Sequence, residues 1–213
     1  CIRDSIQGHW AEDVIKTLAE NGKVSGVGDG KFNPDGTVTR AEFLKMAMDS
    51  FGIVGHAYRD GECLDATNDD WYCYYLQGAL DKDIIPKEMI ENCNVTKVTK
   101  TLAEATDDKK AVTTDVNVYT GKFDGDKPIT REEMAAIAVR CKNYKMRRLT
   151  DWDNERRYPI FSFKDSDEID EKYISDVVEA YNLNYIDGME DGRFAPKENL
   201  TRAQAAVVMN NLK

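Results

Sequence analysis

Apolar residues recur at helical spacing behind three closely similar polar boxes. Phe43, Met46 and Ala47 follow Thr39-Arg40-Ala41-Glu42. Met134, Ile137 and Ala138 follow Thr130-Arg131-Glu132-Glu133, and Ala205, Val208 and Met209 follow Thr201-Arg202-Ala203-Gln204. Steps of three and four residues predict one amphipathic helix behind each box. Thr with Glu or Gln three places later is a capping box, and the aliphatic residue before each Thr (Val38, Ile129, Leu200) fits half of a hydrophobic staple. A second helical pattern opens at His9-Trp10-Ala11 and runs to Asn21-Gly22, with Gly22 placed as a C-terminal cap. Trp71-Tyr72 and Tyr173-Ile174 open the corresponding patterns of the other copies, with Tyr173 set against Trp10. Between the two helices of copies one and three lie Asp29-Gly30-Lys31-Phe32-Asn33-Pro34 and Asp191-Gly192-Arg193-Phe194-Ala195-Pro196, each with an Asp-Gly turn.

The unit is therefore helix, turn-bearing loop, helix, present three times. The expected boundaries are 1–57, 58–145 and 146–213, the last including a linker over 146–160. Copy two has no Asp-Gly loop and carries an insertion over about 86–122 instead. Its Val- and Thr-rich stretches, 94–102 and 111–119, flank Asp107-Asp108-Lys109-Lys110 and predict a β-hairpin. Within it, Asn94-Val95-Thr96 matches the N-glycosylation triplet, a pattern common by chance.

Composition narrows the functional classes. The chain has 213 residues, 41% of them hydrophobic, with a net charge of −10. That content suits a folded chain. The acidic balance argues against a general nucleic-acid binder, which needs a basic excess to neutralise phosphates. No apolar run is long enough to span a membrane. The chain opens at Cys1 without the basic and apolar regions of a secretion signal, as expected of a mature form or a fragment. Cys63 with Cys73, and Cys93 with Cys141, are possible disulfides, set against the reading that all four are free thiols. No zinc-type cluster exists. The loop ending at Glu42 resembles part of an EF-hand, but Lys31 stands where its first carboxylate belongs. Lys122 and Arg193 take that place in the other copies, so no metal or other cofactor is expected. No phosphate-binding loop, nucleophile elbow or nucleophile–base pair is present, and an enzyme is not expected.

Gly8-His9-Trp10-Ala11, Asp29-Gly30-Lys31-Phe32-Asn33-Pro34 and Thr39-Arg40-Ala41-Glu42, with their partners in the later copies, resemble the S-layer homology (SLH) family as a tandem of three. Tyr58-Arg59-Asp60 and Phe163-Lys164-Asp165 match the aromatic-x-Asp that opens family copies. The resemblance implies a mainly α, three-fold pseudo-symmetric trimer of helix-loop-helix repeats around a central helical bundle. It also implies glycan binding in the grooves between repeats, at the bacterial cell surface. The usual task is non-covalent anchoring of an exported cargo protein, fused or associated, to the cell wall. The usual ligand is a secondary cell-wall polysaccharide bearing pyruvylated N-acetylmannosamine. A peptidoglycan-linked glycan, or a protein partner in a surface layer, is the alternative.

The residues add their own argument. Thr, and Glu or Gln three places later, are explained by capping in each box. Arg40, Arg131 and Arg202 are not, because a cation at a helix N-terminus is disfavoured by about 0.3–1 kcal/mol. An Arg beside free backbone N–H groups makes an anion site, and its two-pronged grip suits a carboxylate. Arg40 and Arg202 are the first candidates as carboxylate clamps and Arg131 the third; a structural pairing with a neighbouring acid is the other reading. Trp10 serves either the core or a sugar face. Asp29, Gly30, Asp191 and Gly192 are turns whose backbone could also approach a glycan. Copy two, lacking the turn, is expected to have the altered groove. The 140–157 stretch holds seven basic residues against three acidic ones, a solvated linker or a contact for an anionic polymer.

Overall fold

The computed structural model describes residues 5–55, 64–67, 69–103, 112–147 and 163–212. Helix α1 spans Glu12–Glu20, α2 Arg40–Ser50, α3 Cys73–Leu80, α4 Arg131–Arg147, α5 Ile174–Asn182 and α6 Arg202–Asn211. Strands β1 (Glu91–Ala103) and β2 (Val112–Lys122) pair antiparallel, with Val95 opposite Tyr119 and Thr99 opposite Asp115. They lie where the Val- and Thr-rich stretches are; Asp107 to Lys110 fall outside the described residues, as do Tyr58-Arg59-Asp60.

Local chemistry starts the helices. The reciprocal capping box forms at Thr39 with Glu42 and at Thr201 with Gln204. At α4, the Glu133 carboxylate accepts from the Thr130 N–H (3.2 Å) and the Thr130 hydroxyl accepts from the Glu133 N–H (3.4 Å). Gly22 follows α1 at φ 66°, a left-handed turn in which the Lys23 N–H bonds the Leu18 carbonyl at 2.8 Å. Asp83 and Asn184 close α3 and α5 in the same left-handed conformation, which short polar side chains tolerate.

The residues before the three boxes close a ring of backbone hydrogen bonds. The Val38 N–H donates to Leu200 (3.0 Å), Leu200 to Ile129 (2.9 Å) and Ile129 to Val38 (2.9 Å). All three side chains are fully buried. Around them a single core gathers Phe43 and Leu44 of α2, Leu76 of α3, Met134 and Ile137 of α4, Val177 of α5, and Ala205 and Val208 of α6. One core therefore runs through all three copies.

The expected mainly α, three-fold trimer around a central helical bundle is not what forms. Among the described residues the fold is six α-helices with a two-stranded antiparallel sheet. Its helices are unequal: α4 has 17 residues where α2 has 11 and α6 has 10. Among the described residues α2 packs on both α4 and α6, whereas α4 and α6 make no comparable contact and α4 packs chiefly on α5. The long strands of the insertion and the extra turns of α4 place distinct elements where equal repeats would place equivalents.

Two further expectations are corrected. Cys73, Cys93 and Cys141 are free, so neither proposed disulfide forms at these residues; Cys1 and Cys63 lie outside the described residues. Tyr173 does not stand in the place of Trp10. Counting back from the buried helix residues Ile15, Leu76 and Val177, Trp10 corresponds to Trp71 and to Lys172. Tyr173 corresponds to Ala11 and Tyr72, the buried residues that precede each helix.

Candidate ligand-binding site

Each box Arg points its guanidinium at the loop of another copy. Arg202 donates from Nε to the Phe32 carbonyl (2.9 Å) and from Nη2 to the Ser25 carbonyl (2.8 Å), lying 4.8 Å above the Phe32 ring. Arg131 repeats this with the Phe194 and Asp187 carbonyls, both at 2.8 Å, and lies 5.0 Å above the Phe194 ring. Arg40 donates from Nη1 to the Phe123 carbonyl (2.7 Å) and pairs through Nε and Nη2 with both carboxylate oxygens of Glu133. Burial depresses the pKa of Arg131 and of Arg202, partly offset by nearby acids, for Arg202 by Glu42.

The first N–H groups of these helices are not free for an anion. Those of Arg40 and Ala41 bond the Lys127 and Gly125 carbonyls, both at 2.9 Å. Those of Arg131 and Glu132 bond Glu198 and Pro196, and those of Arg202 and Ala203 bond Gly36 and Pro34. A helix start that is already capped by a loop's carbonyls offers no empty donor nest.

The three arginines differ in exposure. Arg40 and Arg131 are buried, with the Arg40 side chain 7% exposed, whereas the Arg202 side chain is 14% exposed and faces a cleft of about 220 Å³. The cleft is walled by the loop after α1 (Lys23, Val24, Ser25, Gly26), by Glu42, Lys45 and Met46 of α2, and by Trp71, with Phe32 and Val38 beneath. Trp71 is 53% exposed, an unusual state for so large an apolar ring. The Lys45 ammonium lies 5.4 Å from the Tyr75 ring and pairs with Asp49 at 2.6 Å, which raises its pKa. Arg202 Nη1 stands 3.9 Å from Glu42. Three cations, one carboxylate and one open aromatic face thus share a single concave surface. Such a surface can bind an anionic sugar, with the ring stacked on indole and the acid held by the cations.

The other expected residues sit elsewhere. Trp10 is 67% exposed, its ring 5.4 Å from that of His9, and is not a core residue. Asp29-Gly30 and Asp191-Gly192 form exposed turn tips, with Asp29 at φ 47° and Gly192 at φ 85°. None of the four lines the Arg202 cleft. Asp191 is spent on Arg193, at 2.8 Å to Nε, which lowers its pKa. In the basic stretch, Arg140 pairs with Asp176 (3.3 Å) and Lys142 with Glu179 (3.5 Å), fastening α4 to α5; residues 148–157 lie outside the described residues. Sequence reasoning missed Trp71, Lys23 and Lys45. Trp71 was marked by its match to Trp10; the lysines carried no motif.

Comparison with known proteins identifies a family for the chain. Residues 4–44 and 162–206 match the S-layer homology domain. The chain is 32% identical over 209 residues to an amylopullulanase of Thermoanaerobacterium thermosulfurigenes, covering 98% of this chain and 9% of that protein. It is 33% identical over 212 residues to the exoglucanase XynX of Acetivibrio thermocellus, covering 98% of this chain and 16% of the relative. An endoglucanase of a Bacillus strain is 30% identical over 203 residues, covering 95% and 18%. The chain thus spans less than a fifth of the length of each of these relatives.

Proposed function

Because the chain belongs to the S-layer homology family, an anchoring and not a catalytic module, we propose that it retains an exported polypeptide at the bacterial cell wall by non-covalent glycan binding. The ligand is an anionic secondary cell-wall polysaccharide, and the group recognised is the carboxylate of a pyruvyl ketal. The single observation behind this reading is the Arg202–Trp71 cleft, which joins cations from three elements to an exposed indole. The cargo is a catalytic segment, as in the much longer enzymes that this chain resembles. The repeats are 1–57, 58–145 and 146–213, with the insertion of the second over about 86–122.

In this reading the arginines divide their work. Arg202 meets the ligand carboxylate. All three hold loop carbonyls, Arg202 through Nε and Nη2 to Phe32 and Ser25, but Arg40 and Arg131 are buried and keep the walls in place, whereas Arg202 alone of the three lines the cleft and has Nη1 to offer. Trp10, with Asp29, Gly30, Asp191 and Gly192 at the turn tips, makes secondary contacts to a longer glycan. Copy two's groove is the altered one: as copy two lends Trp71 to the loop of copy one, copy three lends Lys172 to copy two, where it bonds the Glu88 carbonyl at 3.4 Å.

Calorimetric titration with the purified polysaccharide, native and chemically depyruvylated, tests the reading. The native polymer should bind and the depyruvylated one should not. Trp71→Ala should weaken binding by tenfold or more with an unchanged Tm. Equal binding of both polymers would remove the carboxylate from the mechanism, and full affinity in Trp71→Ala would remove the cleft.

A further inference from the structure

The open indole of the Arg202 cleft does not stand alone. Trp71 precedes α3 and Tyr74 lies in its first turn, and both rings are exposed, by 53% and 40%. The turn begins ahead of the helix itself: the Cys73 N–H bonds the Asp70 carbonyl at 3.0 Å and the Leu76 N–H bonds the Tyr72 carbonyl at 2.9 Å. Residues three apart on such a turn are surface neighbours, with about 5–6 Å between their Cβ atoms. A second route joins Tyr74 to the cleft. Lys45, which lines it, lies 5.4 Å from the centre of the Tyr75 ring, and that ring meets Tyr74 edge-on with centres 5.6 Å apart.

Tyr74 is braced without being buried. Its flank rests on the loop after α2, where a Cβ at Gly55 would stand 2.3 Å from the Tyr74 carbonyl oxygen and 2.5 Å from its ring, so only glycine lets the loop come so close. Holding a side chain in one rotamer costs conformational entropy, and a ring left in water recovers less of that cost by burial. The aromatic pair is also peculiar to one copy. Counting from the buried Ile15, Leu76 and Val177, the places of Tyr74 and Tyr75 fall to Asp13 and Val14 in copy one and to Ser175 and Asp176 in copy three. The pair therefore stands in the copy whose tryptophan lines the cleft.

We propose that Tyr74 is a second sugar platform, on which the glycan residue next to the one in the Arg202–Trp71 cleft stacks. This rests on the reading of that cleft as the glycan site. The occupant follows from continuity: a chain that leaves the cleft past Trp71 or Lys45 meets Tyr74 within one helical turn. A sugar ring has an apolar C–H face that suits the negative face of an aromatic ring, while its hydroxyls and that of the tyrosine stay wet. A ring already fixed in place loses little freedom when the sugar arrives. The cleft then reads the charged sugar and the platform reads chain length. A single acidic sugar fills only the first, whereas an oligosaccharide fills both.

Calorimetry on the whole chain tests the platform with two ligands: the pyruvylated sugar as its methyl glycoside, and an oligosaccharide of at least two repeats released from the purified polysaccharide. The oligosaccharide should bind about tenfold more tightly, the scale of one aromatic contact. Tyr74→Ala should remove that gain and leave the affinity for the single sugar and the Tm unchanged. Tyr74→Leu, which keeps apolar bulk against Gly55 without a ring, should do the same, and Tyr74→Phe should retain the gain. Trp71→Ala should weaken both ligands. A gain that survives in Tyr74→Ala and Tyr74→Leu, or equal affinity of the unaltered chain for both ligands, would overturn the platform and leave the cleft standing. Equal weakening of both ligands by Tyr74→Leu would make the ring a support of the cleft wall and overturn its contact with sugar. Binding of neither ligand by the unaltered chain would overturn the reading of the cleft, and the platform with it.

Discussion

At the scale of single residues, one motif position does two different jobs. Arg40 is buried against a buried Glu133, so removing it leaves an uncompensated charge in the interior. Arg40→Ala is expected to cost about 3–5 kcal/mol in chemical denaturation. Arg202 is nearer solvent, and its acid is 3.9 Å away, so Arg202→Ala should cost clearly less while abolishing glycan binding. A larger loss for Arg202 than for Arg40 would reverse this ordering. The caps give a second check: Thr39→Ala and Thr201→Ala should each cost about 1 kcal/mol. Those caps were legible in sequence because both partners lie within three residues of each other. The carbonyls that receive the arginines were not, because Phe32 is 170 residues from Arg202 and Phe123 is 83 from Arg40. The match of Tyr173 to Trp10 failed for a related reason. It followed aromatic likeness, whereas the fold keeps the distance to the buried Ile15 and Val177 constant.

Elements show where unlike pieces are fastened. Helices α4 and α5 are joined by Arg140–Asp176 and Lys142–Glu179. Burial raises the Asp176 carboxyl above its ordinary value of 3.8, against the pull of Arg140. An acid whose folded pKa is raised holds its proton more tightly in the folded state. Its contribution is therefore greatest below the ordinary value and declines as pH climbs through the raised one. Scanning calorimetry from pH 3.5 upward should show Asp176→Asn flattening that decline; a steeper decline in the variant would contradict it. The β1–β2 pair is tied at its base by Tyr119, buried, with its hydroxyl on the Leu80 carbonyl at 3.3 Å. A two-stranded sheet is marginal alone, so this anchor matters. Tyr119→Ala should cost about 3 kcal/mol and loosen β2 in hydrogen exchange before the helices. Val- and Thr-rich composition foretold the strands. It held no sign of Tyr119 as their fastening, since one inward aromatic looks like any other strand residue.

For the molecule as a whole, the ring of Val38, Ile129 and Leu200 makes the three copies interdependent. Removing residues 163–212 would leave the Val38 N–H and the Arg131 guanidinium without the carbonyls they bond and strip α2 of its packing on α6, so that shortened chain should lack a cooperative unfolding transition by circular dichroism. A sharp transition would show that the first two copies stand alone. Helix α1 also packs on α6, and the loop after α1 receives Arg202 from the start of α6. Only the repetition was legible here; which copy's arginine enters which loop depends on how the chain closes, and no local pattern encodes closure. That closure has a mechanical consequence. One wall of the Arg202 cleft belongs to the first copy and the guanidinium bonded to it to the last, so under the proposed function any load that pulls these two copies apart acts on the binding site itself. Load bearing and holding are then set by the same joint, and the force at which the ligand slips and the force at which the first and last copies part should rise and fall together.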